Sequence, residues 1–178
     1  MIGTKELLRL VKSKKLVENL CERELTNPEG SGFDLRIGEA FEIGKGDSFL
    51  GIDERHTPEA ISFAKYGEQK GLILRPGRFI LVKTMEKVNL TKNICAIFRP
   101  RSTLQRSGIA LFTATASPGY SGELTFGMAN LGKNNFKLEL GARIANVLFF
   151  KTSENISAYR GQWQGGRVST QGKREKQV

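Results

Sequence analysis

The sequence predicts a mainly β fold, a sandwich, jelly roll or barrel, from three observations. Short apolar runs recur from position 71 onward: Leu72–Leu74, Phe79–Thr84, Ile94–Phe98, Ile109–Thr115, Glu123–Asn130, Phe136–Leu140 and Arg143–Lys151. Turn-forming residues separate them, at Arg75-Pro76-Gly77, Thr91-Lys92-Asn93, Pro118-Gly119, Gly132-Lys133-Asn134 and Gly141. Twenty glycines and one tryptophan in 178 residues suit many tight connections between strands. No strand alternates with a long helical pattern, which argues against a βαβ fold.

The chain opens with a helix. Thr4 is the expected N-cap, Glu6 falls in the first turn, and Leu7, Leu8, Leu10 and Val11 give an apolar face. Lys12, Lys14 and Lys15 suit its C-terminal end, where the dipole favours cations. Residues 16–30 read as a short strand or turn that ends in the loop signal Asn27-Pro28-Glu29-Gly30. Phe33, Leu35 and Ile37 then alternate with Asp34, Arg36 and Gly38, the period of a half-buried strand, and a second short strand covers Ala40 to Ile43. Residues 44–70 carry no sustained pattern and read as a surface excursion, with a helical turn in PEAISFAKYGEQ. The polar, glycine-rich end from residue 159 to 178 reads as a mobile arm on a β domain of residues 1–158.

Composition narrows the function. Hydrophobic content of 39% and charged content of 26% fit a globular chain with a real core. No apolar run approaches the roughly 20 residues of a membrane helix, and MIGTKELLRL lacks a signal-peptide core, so the cytoplasm is the default location. Cys21 and Cys95 read as buried free thiols, and the single His56 as a solvated loop residue. The net charge of +10 suits an anionic ligand. A basic recognition helix, a zinc finger and an aromatic RNA-binding signature are all missing, so nucleic acid is not the expected partner.

The stretch RPRSTLQRSGIALFTATASPGYSGELTF concentrates the chemistry. A helix starting after Ser102 aims free N–H groups at one point, beside Ser102, Thr103, Arg101 and Arg106, which suits a phosphate chain. Spacing alone equally admits a capped surface turn. Tyr120, held in Pro-Gly-Tyr-Ser-Gly, suits packing on a deoxyribose face, and also an ordinary hairpin tyrosine. Asp34 faces away from the core, as a ligand for a metal-bound water or as a plain exposed strand aspartate. Arg160, Trp163, Ser169 and Thr170 sit among flexible glycines and suit a lid over a polyphosphate, and the lone tryptophan argues against a wholly disordered tail.

Together these stretches resemble the trimeric dUTPase and dCTP deaminase family over most of residues 1–170. PRSTLQRSGI resembles its phosphate motif, SPGYSGELTF its substrate hairpin, GARIANVLFF the strand motif that follows, and SGFDLRIG its first motif. The resemblance implies a distorted jelly roll of the dUTPase-like β-clip type, a homotrimer with sites between subunits, and a deoxypyrimidine triphosphate carrying Mg²⁺ on its phosphates. It implies that Arg101 and Ser102 hold phosphate oxygens and that Arg106 stands in the place of the deaminase arginine. Residues before Tyr120, Thr115 among them, would meet the base through backbone groups.

Two positions depart from the family pattern. The aspartate expected just before the hairpin turn is Ser117, and the deaminase glutamate after it is Gly127. A serine hydroxyl is a poor base without a partner base. Glu123 lies four positions from 127, about 13 Å along a strand, too far to substitute. The catalytic groups therefore stay unassigned, with Asp34 and Arg106 as candidates. The expected order of activities is dUTP hydrolysis to dUMP and pyrophosphate, then dCTP deamination to dUTP and ammonia, then nucleotide binding without turnover.

Overall fold

A computed structural model describes residues 1–154 and 156–177. The N-terminal elements are α1 (Thr4–Lys14), β1 (Val17–Glu18), α2 (Glu22–Thr26) and β2 (Gly32–Ile43). An excursion carries β3 (Phe49–Leu50), β4 (Glu54–His56) and β5 (Ala60–Lys65). The body continues with β6 (Gly71–Leu74), β7 (Phe79–Asn89), β8 (Ile94–Pro100), α3 (Ser102–Arg106) and β9 (Ile109–Phe112). It closes with β10 (Thr115–Ala116), β11 (Ser121–Asn130), β12 (Phe136–Glu139), β13 (Arg143–Lys151) and β14 (Glu175–Lys176).

The result is a mainly β, curled antiparallel fold, as expected. Its main sheet runs β10-β8-β13-β2-β7-β11-β9, with β1 added on β7 and β5 on β2. Strand β2 is one long strand where two short ones were expected. Its first half pairs with β13 and its second half with β7 and β5, so it carries the chain around the curl. Register shifts between Ile37 and Glu39 and between Ala40 and Phe41 bend it between these partners. Phe33, Leu35 and Ile37 are fully buried, and Phe33 meets Phe149 edge-on with centroids 6.4 Å apart.

Several local expectations change. Thr4 is not the cap; Gly3 holds that position, and the Thr4 hydroxyl donates to the Gly30 carbonyl at 2.5 Å. Helix α1 stops where Lys15 turns to φ 52° and its N–H closes on the Leu10 and Val11 carbonyls. Residues 22–26 are helical, an assignment their polar sequence concealed because the buried residue is Glu24 and not an apolar one. The proposed helical turn near residue 60 is strand β5, whose Ala64 is buried against β2. His56 is a strand residue stacked on Phe49 at 6.0 Å, not a solvated loop. Cys21 and Cys95 are free thiols but only half-buried. Among the described residues no helix is long and apolar enough to cross a membrane.

The β2–β13 seam should dominate stability. Phe149→Ala removes a fully buried ring that no neighbour can replace. Its expected cost is about 3–5 kcal/mol, read as a lower denaturant midpoint with an unchanged slope.

Candidate functional site

Most of the predicted site residues fall into two places. The first is a partly open pocket of about 300 Å³ lined by Phe98, residues 114–117, Tyr120, residues 124–126, Tyr159, Trp163, Arg167 and Val168. It holds Thr115, Ser117, Tyr120 and Trp163 together. The walls are β8, β10 and β11, and the roof is the chain's own closing segment.

The closing segment approaches because of two glycines in the turn. Gly122 has φ +152°, and a Cβ there would strike the backbone of Gly165 and Gly166. Gly119, at φ +84°, would strike Ala158 at 2.7 Å. In the space they leave, Tyr159 N–H donates to the Pro118 carbonyl at 2.7 Å and Gly165 N–H to the Ser121 carbonyl at 2.8 Å. The Gln164 side chain accepts from Ser121 N–H and donates to the Gly119 carbonyl, both at 3.1 Å. The arm expected to be mobile is thus docked on its own subunit.

Tyr120 is set by the same turn. Its hydroxyl donates to the Glu123 carbonyl at 2.6 Å, and its ring meets Tyr159 edge-on at 5.4 Å. Burial pushes its pKa up to about 12, so the phenol stays protonated. The cavity lining contains no carboxylate and no histidine.

The second place is the turn at α3. Arg101 sits at its N-cap in extended conformation, so the helix begins at Ser102 itself, one residue earlier than predicted. Ser102, Thr103 and Arg106 are exposed, and none of them lines the cavity. Arg101 is held differently. Its Nη1 donates to Asp34 Oδ2 at 2.5 Å, which also receives Arg143 Nη1 at 3.0 Å, while Asn146 Nδ2 donates to Oδ1 at 3.0 Å. Asp34 N–H donates to Glu24 Oε2 at 3.0 Å, and Glu24 in turn pairs with Arg23.

This corrects the reading of Asp34. The residue is 3% exposed, not solvent-facing, and its carboxylate is occupied by guanidinium and amide donors. A directly bound dication does not fit on an oxygen that two arginines already share. Among the described residues no three His, Cys, Asp or Glu side chains form a metal-binding group. Arg143 and Asn146 escaped the sequence reading although they lie in the GARIAN segment; Glu24 and Arg23 had no sequence signal at all.

Other expected groups lie elsewhere. Arg160 is exposed and outside the cavity lining. Ser169 and Thr170 are buried, and Thr170 hydrogen-bonds Thr57 on the β4 side instead of pointing into the cavity. Gly127 lies under aromatic rings: a Cβ there would stand 2.8 Å from Phe79 Cζ and 3.4 Å from Phe112 Cδ2. Glu123 packs instead against Gly166 of the arm. Trp163 docks as expected, with the Arg55 guanidinium 5.2 Å over its ring.

Comparison with known proteins fits this arrangement. The family model for dCTP deaminase-like proteins matches residues 1–152. A protein of Pseudarthrobacter chlorophenolicus named dCTP deaminase, dUMP-forming, is 28% identical over 169 residues, 93% of this chain and 87% of its own. Its namesake from a Hydrogenobaculum species is 30% identical over 156 residues, 86% of this chain and 84% of its own. The crystal structure of 2′-deoxycytidine 5′-triphosphate deaminase from Agrobacterium tumefaciens shares the fold at a TM-score of 0.62 and 16% identity. That match covers 83% of this chain and 47% of the larger one.

Two outcomes test the geometry. Asp34→Asn leaves Arg101 and Arg143 without their counter-charge and should cost about 3 kcal/mol, measured by denaturant unfolding. The Arg167 guanidinium holds the Glu175 carboxyl below its ordinary value. That contribution is present above the unfolded carboxylate pKa and is lost as pH falls through the lowered folded one. Acidification into that range should shift Trp163 emission to the red before far-UV CD changes, and Glu175→Gln should show the shifted emission already at pH 7.

Proposed function

The chain belongs to the dCTP deaminase-like family, and from that membership we propose that it binds a 2′-deoxypyrimidine nucleoside triphosphate. Base and sugar occupy the cavity beside Tyr120, and the phosphates lie on the turn at Arg101, Ser102, Thr103 and Arg106. The observation that carries this reading is the division of the site. One copy holds a half-open, largely apolar pocket of about 300 Å³ and, apart from it, an exposed cationic turn. A second copy supplies the missing half, so the working form is an oligomer, the homotrimer that the family resemblance implies.

The order of activities is revised. dUTP hydrolysis led the expectations, but the relatives compared above are named dCTP deaminases that form dUMP. Deamination at the ring requires a proton carrier. Tyr120 is a neutral phenol, Ser117 has no base beside it in the cavity lining, and Gly127 is covered by Phe79 and Phe112. The function assigned is therefore nucleotide binding with the chemical step largely lost. The second reading, deamination of dCTP with release of ammonia followed by hydrolysis to dUMP and pyrophosphate, is favoured by the relatives' names and needs a carboxylate delivered by another copy. Mg²⁺, if carried, is carried by the substrate's phosphates; no step here depends on it.

Titration calorimetry with dCTP and dUTP should give saturable binding, while assays for pyrophosphate and deaminated product stay at background. Ser102→Ala and Arg106→Ala should each weaken binding about tenfold. Ser117→Asp combined with Gly127→Glu and Phe79→Ala, which clears room for the new carboxylate, should raise product formation above the parent. Turnover by the unaltered chain would select the second reading. Absence of binding by either nucleotide would overturn both.

A further inference from the structure

The roof of the cavity is fastened twice. The near fastening, on the turn at Gly119–Gly122, has been described. The far fastening joins the arm to the β3–β4 hairpin, a segment that the sequence presents as a featureless excursion. There Thr57 N–H donates to Thr170 Oγ1 at 2.9 Å, and Thr170 N–H donates to Thr57 Oγ1 at 2.9 Å. The Thr170 hydroxyl also donates to the Thr57 carbonyl at 3.1 Å, which accepts Gly172 N–H at 3.0 Å. Thr170 is fully buried.

From this clasp the arm continues as β14, paired antiparallel with β4 at Glu175–Arg55 and Lys176–Glu54, to give a small sheet β14-β4-β3. Gln177 N–H donates to the Asp53 carbonyl at 2.8 Å. The arm also closes on itself: both Arg167 terminal nitrogens reach Glu175, and Gln162 Nε2 donates to the Lys176 carbonyl at 2.5 Å. The hairpin reaches the roof directly through Arg55 over Trp163. The small sheet therefore has no hydrogen-bonded strand in common with the main sheet.

We propose that residues 49–57 and 162–177 form one composite flap, and that the Thr57–Thr170 clasp sets the rate at which ligand enters and leaves the cavity. This rests on the nucleotide reading of that cavity. An arm that merely lay on the body would peel off alone. Here peeling breaks the buried threonine pair, the strand pairing and the Arg55–Trp163 contact together. Lifting arm and hairpin as one body breaks only the bonds to the Pro118–Gly122 turn. Those bonds are few: Gly165 N–H on Ser121 and the Gln164 amide on Ser121 and Gly119, while Tyr159 N–H on Pro118 ties down the arm's connection outside the flap. The closed state is also not overdetermined. Arg55 Nε, His56 Nδ1 and Gln162 Oε1 are buried without a protein partner, and opening returns such groups to solvent.

Hydrogen exchange on the full chain, without nucleotide, tests the flap by itself. Peptides covering 49–57 and 162–177 should exchange with one common opening rate, slower than the arm's connection and faster than β7 and β11. Thr170→Val and Thr57→Val, each nearly isosteric, should uncouple the two segments so that the arm exchanges about tenfold faster than the hairpin. Stopped-flow release of a fluorescent deoxycytidine triphosphate should quicken about tenfold in either variant, and no further in the double variant, because both remove the same clasp. Independent exchange of hairpin and arm in the parent overturns the composite flap, whatever the ligand. Parent-like release rates in both variants overturn the gating role. If no nucleotide binds, the cavity reading and the gating fall together, while the exchange result still decides whether the flap is one body.

Discussion

The placement of the cationic turn on the central sheet hangs on a single buried carboxylate. Asp34 lies on β2, the strand that carries the sheet around its curl, and its two oxygens gather Arg101 from the end of β8 and Arg143 and Asn146 from β13. Buried charge is costly unless paired and hydrogen-bonded. Here each oxygen has a donor, and the backbone N–H is held by Glu24, itself 1% exposed and paired with Arg23. The consequence is mechanical: the cationic turn cannot shift relative to the central strands without exposing or orphaning this group. The two arginines are about a third exposed, so they still present donors to the outside. The turn proposed to carry the phosphates is thereby fixed by a carboxylate that is itself 3% exposed.

The cavity depends on a different constraint, the absence of side chains in the turn before β11. Gly119 and Gly122 let a second stretch of backbone lie directly against the turn, and main-chain bonds with one glutamine amide then seal it. Tyr120 is locked between them. The same economy of side chains appears at Gly127, but with the opposite consequence, since the space is taken by Phe79 and Phe112. A position where the family resemblance places an acid has become apolar. Under the proposed function, the pocket would hold the nucleoside without a carboxylate or histidine in its lining to move protons.

Much of this was legible in the sequence. The strands after residue 71 announce themselves through apolar runs between turn residues, and β13 was placed to the residue. Ser117 and Tyr120 share one rigid turn, which is a local fact, and the lone aromatic Trp163 signalled that its segment docks. What escaped was long-range. Glu24 looks like any surface glutamate, and only its partners on β2 explain its burial. Asp34 follows the strand alternation that puts polar residues outside, yet the neighbouring β13 and α2 cover that face. Ser169 and Thr170 read as phosphate ligands by type, but the Thr170 hydroxyl is spent on Thr57, more than a hundred positions away, and the Ser169 hydroxyl accepts from Gln171 N–H. Residues 44–70 gave no period because β3 and β4 are too short to show one, and β4 pairs with the other end of the chain.

The most direct measurement is a crystal structure of the protein grown with dCTP. The account predicts an unreacted nucleotide whose sugar lies against Tyr120 under Trp163, with its phosphates on Ser102 and Arg106 of a second copy. An empty cavity with nucleotide bound elsewhere, or dUMP in the cavity, would contradict it.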